Sequence, residues 1–99
     1  MALLVIEKEH EVASDVAALS LSAYFLNASR PPVKVGFYVK GGGVNVTMDG
    51  TAPTSTTGTN LPVGAHGELD IGEAAGFQFI TESGSPTIHF THYQRREWR

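Results

Sequence analysis

The sequence predicts an all-β protein, an antiparallel β-sandwich or small barrel of about seven short strands. Three observations support this class. Apolar and polar residues alternate along several runs, turn residues recur roughly every 8 to 12 positions, and the 99 residues include 11 glycines but no cysteine. Two half-chains would each be too small to fold alone without a disulfide or metal, so we expect a single domain.

The first strand is predicted at residues 3–12, and it is polar on both faces. Its second half places three glutamates on one face, opposite Lys8 and His10; these are Glu7, Glu9 and Glu11. Such a strand belongs at the edge of a sheet, or it projects as an arm towards a neighbouring subunit. We therefore divide the chain into an N-terminal charged strand or arm (1–12), a β-sandwich body (13–93) and a basic C-terminal tail (94–99).

Residues 13–27 are ambiguous between a strand and a helix. Ser14 or Asp15 would cap a helix, but the residues that follow also alternate loosely. We favour a short strand at 16–22, followed by a turn or a single helical turn near 24–27.

The clearest unit is residues 33–49. Valines and a phenylalanine alternate with polar residues up to Lys40, and the alternation resumes at Val44 after Gly41–Gly43. Two alternating runs separated by glycines predict a β-hairpin with one apolar face and a turn at the glycines. Later strands are expected at 66–72, 77–82 and 87–94, with a turn at 84–86 between the last two.

The segment "TMDGTAPTSTTGTNLPVG", residues 47–64, is predicted to be a long loop. The dipeptide Asp49-Gly50 signals a turn, and Pro53 excludes a central strand. The loop carries no charge after Asp49, so it is cheap to desolvate, which favours a subunit contact, although a plain loop or a small-ligand site stays open. The candidate interaction residues of the loop are Asp49, Gly50, Thr51, Pro53, Thr54, Thr56 and Thr57.

The C-terminal "HYQRREWR" is the second candidate contact segment. Tryptophan, tyrosine and arginine are the residue types most enriched in interface hot spots. The candidate residues are Tyr93, Arg95, Arg96, Trp98 and Arg99. The alternative is a solvated chain end, but an aromatic tail favours docking on a partner.

The composition and motifs argue against catalysis, cofactors and nucleic acid. The net charge of −3 disfavours nucleic-acid binding, and no apolar run is long enough for a membrane span. His89 and His92 are three residues apart on a strand, so they point to opposite faces and cannot share a metal ion. Nucleophile elbows and phosphate loops are absent, and the start "MALLVI" does not resemble a signal peptide. We expect a non-enzymatic protein without cofactor or metal.

The run "VNVTMDGTAPTSTTGTNLPVG", with the later phenylalanine-rich strand, resembles small virion proteins of tailed bacteriophages. The matching residues are Val44, Val46, Thr47, Asp49, Gly50, Thr51, Pro53, Thr54, Gly58, Leu61, Gly64, Phe77, Phe79 and Ile80. The resemblance covers about residues 33–93 and implies a jelly-roll-like β-sandwich that is part of the particle.

The resemblance also implies a function and partners. The expected function is that of a capsid cement or decoration protein on the outer surface of the virion, made in the host cytoplasm. Its expected partners are the major capsid protein and copies of itself, as a homodimer or homotrimer, without nucleic acid or membrane. The alternatives are a tail, neck or fibre component, or a carbohydrate-binding module using Tyr38, Tyr93 and Trp98.

Overall fold

The computed structural model describes residues 2–25 and 32–97, which form one antiparallel sheet of six strands with a short helix and a 3₁₀ turn. The strands are β1 (Ala2–Ala13), β2 (Leu19–Ser20), β3 (Lys34–Thr47), β4 (Thr59–Leu61), β5 (His66–Asp70) and β6 (Gln78–Glu97). The 3₁₀ turn spans Leu21–Tyr24 and the helix α1 spans Ile71–Gly76. The all-β class is confirmed, whereas the strands form one open sheet and a sandwich or jelly roll is not confirmed.

The two long strands β3 and β6 form the centre of the sheet and pair along the whole of β3. The outer edge of β3 is covered by β5 along its first half and by β4 along its second half. The outer edge of β6 is covered by β2 near its start and by β1 towards its end. The strand β1 is therefore an edge strand, one of the two positions considered for it.

The predicted hairpin at Gly41–Gly43 is wrong, although both of its strands exist. The chain does not reverse at the glycines; it continues as the single strand β3, and the register against β6 shifts around Gly42. The predicted turn at 84–86 is likewise wrong, because β6 runs through it. Gly42 pairs with Gly84, so the two glycine-rich segments lie side by side and form one crease across the sheet.

The crease folds the sheet over onto itself. Phe79 and Phe90 belong to the same strand, and a straight strand would separate them by roughly 36 Å. Their ring centroids are instead 5.8 Å apart. Because Phe79 pairs with Val46 and Phe90 with Phe37, the contact joins the two halves of the sheet. The two halves thus face each other across a single core.

The core contains aliphatic and aromatic side chains from both halves of the sheet. Its buried members are Val12, Leu21, Val35, Val39, Val44, Val46, Leu69, Ala74, Phe77, Phe79, Ile88 and Phe90. In β3 the inward residues are odd-numbered before the crease and even-numbered after it, since the register shifts change which side chain faces inward. The apolar faces predicted for residues 33–39 and for Val44 and Val46 are therefore confirmed, whereas Met48, predicted on the same face, is exposed.

The helix α1 replaces the end of the strand predicted at 66–72. Its start carries a capping box: the Asp70 carboxylate accepts from the Glu73 N–H at 2.8 Å, and the Glu73 carboxylate accepts from the Asp70 N–H at 3.1 Å. The motif Asp-x-x-Glu is a usable signal for this helix. The strand predicted at 16–22 shortens to Leu19–Ser20 before the 3₁₀ turn, and residues 26 and 27 lie outside the described residues.

Candidate functional site

Side-chain hydrogen bonds fix the conformation of the threonine-rich loop between β3 and β4. The Asp49 carboxylate accepts a hydrogen bond from the Thr51 N–H at 2.9 Å. Hydrogen bonds from the backbone and the side chain of Thr51 lower the pKa of Asp49. The Thr47 hydroxyl donates to the Thr51 carbonyl. Gln78 of β6 donates its side-chain amide to the Gly50 carbonyl at 2.9 Å, so the first half of the loop is attached to the sheet.

A second turn centres on Thr54. Its hydroxyl accepts from the N–H groups of Thr56 at 3.3 Å and Thr57 at 3.0 Å, and it lies 2.6 Å from the Thr57 hydroxyl. The buried Asn45 donates its side-chain amide to the Thr54 carbonyl at 3.0 Å, and Pro53 is buried beneath the turn. Several of the threonine hydroxyls thus form hydrogen bonds inside the loop. The subunit contact expected of this loop stays a prediction.

Two glutamates of β1 lie against the sheet and are not held out as an arm. Glu9 contacts His89 Nε2 at 3.1 Å and accepts from the Thr91 hydroxyl at 3.4 Å. Glu11 forms an ion pair with Lys40, which lowers the pKa of the Glu11 carboxyl. The backbone of Glu7 lies at the register shift between Ile6 and Lys8.

His10 lies on the face of β1 opposite Glu9 and Glu11, and it is half-buried. Its Nε2 lies 2.7 Å from Nε2 of His92, which is completely buried, and its ring packs against Phe90 and Tyr24. Burial lowers the pKa of both histidines, that of His92 to about 4. His89 points to the opposite, outer face, as the strand spacing predicts.

The two chain termini pair with each other and form a ribbon at one end of the molecule. Pairing between β3 and β6 stops at Tyr93, whereas β1 continues to pair with β6 from Ala2↔Glu97 to Val5↔Gln94. This terminal ribbon consists of residues 2–5 and 94–97. Arg95 is exposed in it, Arg96 pairs with Leu3, and Trp98 and Arg99 lie outside the described residues.

The outer face of the sheet, opposite the core, carries a groove of about 350 Å³ across β5, β3 and β6. Tyr38 and Tyr93 flank it, and Gly36 forms part of its floor. The Tyr38 ring stacks on the His66 ring with centroids 6.3 Å apart. The remaining lining residues are Phe37, Gly67, Glu68, His89 and Thr91. The groove will be called the outer groove.

The sequence analysis identifies Tyr38 and Tyr93 as candidate binding residues, but it does not predict that they lie close together. They lie 55 positions apart in the sequence, and only the register Lys34↔Tyr93 places both beside Gly36. By pattern alone, His66, Glu68 and Thr91 are ordinary strand residues. The usable signal is Gly36 itself, a glycine within an otherwise regular alternating strand.

The described residues contain no group of three or more histidine, cysteine or acidic side chains placed to hold a metal ion. Within residues 2–25 and 32–97, no helix has the length and apolar character needed to cross a membrane. Comparisons with known protein families, curated proteins and solved structures find no match for this chain.

Proposed function

We propose that this chain is a non-enzymatic structural protein that acts by contact, as a capsid cement or decoration protein on the outer surface of a bacteriophage head. The observation that carries the proposal is the terminal ribbon. Its two strands pair only with each other among the described strands, beyond the end of the shared core. A two-stranded ribbon is marginal in water by itself, so a partner sheet would stabilise it.

The edge strand β1 offers the means of joining. Its outer edge pairs with no other described strand, so the backbone groups there are available for strand addition. Two copies would pair their β1 edges across a two-fold axis to form a homodimer, or exchange ribbons head to tail to form a closed homotrimer. The ribbons would also contact the major capsid protein, and many weak contacts then add through multivalency.

The composition of the outer face fits an accessory protein of this kind. Its charges are compensated locally, with Lys40 paired to Glu11 and Lys34 to Glu68 at 3.4 Å. A face of this kind can remain exposed to water at little cost in free energy. Within the proposal, the two facing halves of the folded sheet take the place of the two layers of a jelly-roll-like sandwich.

The test uses phage heads stripped of this protein and a variant that lacks residues 94–99. The deletion removes three arginines and one glutamate, a net charge of +2. A matched control, Lys34→Ala with Lys40→Ala, removes the same charge from the body. Full-length protein and control are expected to co-sediment with heads, and the deletion variant is expected to bind at least tenfold more weakly while keeping its circular dichroism spectrum.

Three results would contradict this proposal. Full occupancy of heads by the deletion variant would show that the ribbon is not the joining element. Binding to purified tails instead of heads would favour a tail, neck or fibre component. Light scattering of the full-length protein measures the oligomeric state, and a monomer at all concentrations would contradict joining through β1.

A further inference from the structure

Gly36 occupies a position where the fold does not require a glycine. It lies in β3 between two strands, paired with Thr91 on one side and Glu68 on the other, and the register is regular on both sides. Its backbone is not in the positive-φ region. Glycine in the middle of a strand is unfavourable, and it commonly marks a bulge, a bend or the close approach of a ligand or another backbone.

Crowding inside the chain does not explain Gly36 either. A Cβ atom added there would meet no heavy atom closer than 3.8 Å, which is ordinary contact. Gly42 of the same strand differs sharply, since its Cβ would lie 2.3 Å from the Ser83 carbonyl oxygen. With no bend and no steric clash inside the chain at Gly36, the remaining reason is an approach from outside, through the outer groove.

The groove has the two kinds of surface that a sugar ring requires. A sugar presents a C–H face that packs on aromatic rings and a rim of hydroxyl groups that need donors and acceptors. Tyr38 is 46% exposed at one side of Gly36, and Tyr93 stands at the other, with its Cε2 3.8 Å from the point that a Cβ on Gly36 would occupy. Tyrosine suits such a site because its ring is rigid and its hydroxyl stays polar.

Hydrogen-bond donors and acceptors surround the rings. Glu68 stands on the β5 side, where its only charged contact among the described residues is the exposed Lys34 at 3.4 Å. On the β1 side, His89 Nε2 and the Thr91 hydroxyl both contact the carboxylate of Glu9. These groups supply acceptors and donors to hydroxyls. Because the charged groups next to the rings are the carboxylates of Glu68 and Glu9, the groove favours a neutral ligand over an anionic one.

We propose that the outer groove binds a neutral sugar residue, with its ring packed over Gly36 against Tyr38 and Tyr93 and its hydroxyls bonded to Glu68 and the Thr91–His89 side. The volume of about 350 Å³ lies at the small end of the range for ligand sites, roughly 300–1,000 Å³. One or two sugar units are therefore expected, and affinity for a single unit is expected to be weak. The inference does not depend on the proposed capsid function.

The test begins with the full-length protein on a glycan array that holds neutral, sialylated and sulfated glycans. The best neutral monosaccharide is then titrated while the amide resonances of the protein are followed by nuclear magnetic resonance. Saturable shifts are expected at Gly36, Gly67 and Thr91. Binding only to sialylated or sulfated glycans, or no glycan binding at all, would overturn the proposal.

Three variants locate the site. Gly36→Val fills the floor of the groove with a residue that suits a strand, and Tyr38→Ala removes an exposed platform. Both are expected to weaken sugar binding at least tenfold with the amide spectrum of the fold retained. Thr87→Val, on the same outer face but outside the groove, is expected to bind like the original chain.

The variants also separate a sugar site from a protein contact. Sugar binding that survives both Gly36→Val and Tyr38→Ala would overturn the assignment of the groove. If the array is negative but Gly36→Val abolishes co-sedimentation with heads, the groove is a protein contact and the sugar proposal is wrong. Loss of head binding in the tail deletion variant, with sugar binding intact, is expected because the residues that line the groove include none of the terminal ribbon.

Discussion

Single residues show how this small core accepts polar groups. His10 and His92 meet at 2.7 Å between β1 and β6, among Phe90, Tyr24 and Phe25. One ring must donate and the other accept, so at least one histidine is neutral. Nδ1 of His92 is buried and has no hydrogen-bond partner within residues 2–25 and 32–97, which adds to the cost of placing a charge there.

The histidine pair predicts that acid destabilises the fold. The pKa of His92 falls from its ordinary value of 6.5 to about 4, and that of His10 also falls, with Lys8 adding to the effect of burial. The unfolded chain therefore binds more protons than the folded chain below pH 6.5. The stabilisation from keeping these histidines neutral should be fully present above about pH 7, and the free energy of unfolding should decrease as the pH falls from 6.5 to 4. His92 is expected to account for about 3 kcal/mol of this decrease.

Urea unfolding at pH 7.5, 5.5 and 4.5 measures this decline. The double variant His10→Leu with His92→Leu should lose most of the pH dependence in that window, because neither position can then be protonated. A decline of the same size in the double variant would assign the acid sensitivity to other groups. The carboxyls of Glu11 and Asp49 contribute at lower pH, since their pKa values are lowered.

At the scale of elements, the crease is what distinguishes this sheet from a flat one. Gly41 has a φ of 79° and Gly84 a φ of 68°, which most side chains disfavour. The close approach of Gly42 to the Ser83 carbonyl brings β3 and β6 together at the bend. Bulges raise local twist and bend a strand, and here they act on two neighbouring strands at one level.

Two glycine substitutions in the same strand should therefore have opposite effects. Gly42→Ala forces the backbones of β3 and β6 apart and is expected to cost about 1–3 kcal/mol of unfolding free energy. Gly36→Ala meets only ordinary contacts and is expected to add up to about 1 kcal/mol. Urea midpoints of the two variants provide the measurement. Equal effects would mean that the crease does not depend on close backbone contact.

At the scale of the whole molecule, the core and the terminal ribbon are expected to differ in stability. The core joins the two halves of the folded sheet, as the Phe79–Phe90 contact shows. The ribbon extends beyond the last pair of β3 with β6 and has one pairing partner per strand. Local opening costs least where few buried contacts are lost, so the ribbon should open most readily.

Hydrogen exchange measures this difference. Hydrogen-bonded amides of residues 2–5 and 94–97 should exchange faster than those of Val35–Val39 by about two orders of magnitude or more in the free protein. In a stable oligomer, or on heads, the ribbon amides should become protected while those of Val35–Val39 change little. Equal protection in the free protein would place the ribbon within the cooperative core.

Properties that depend on local pattern can be read from the amino-acid sequence. Alternation with a period of two set the all-β class, the apolar faces of β3, and the opposite directions of His89 and His92. Local chemistry also marked the Asp49-Gly50 turn, and the Asp70 capping box is legible in the sequence as Asp-x-x-Glu. These features depend on neighbours a few residues away, so a single sequence can carry them.

Long-range pairing between strands sets the path of the chain at the glycines and determines which side chains meet. Gly41–Gly43 suits a turn or a bulge equally well by its local freedom, and the choice depends on pairing with β6 about 40 residues later. The same pairing buries His10 against His92 and brings Tyr38 to the groove beside Tyr93. Long-range register has no local signature, because strand partners are selected by the packing of the complete core.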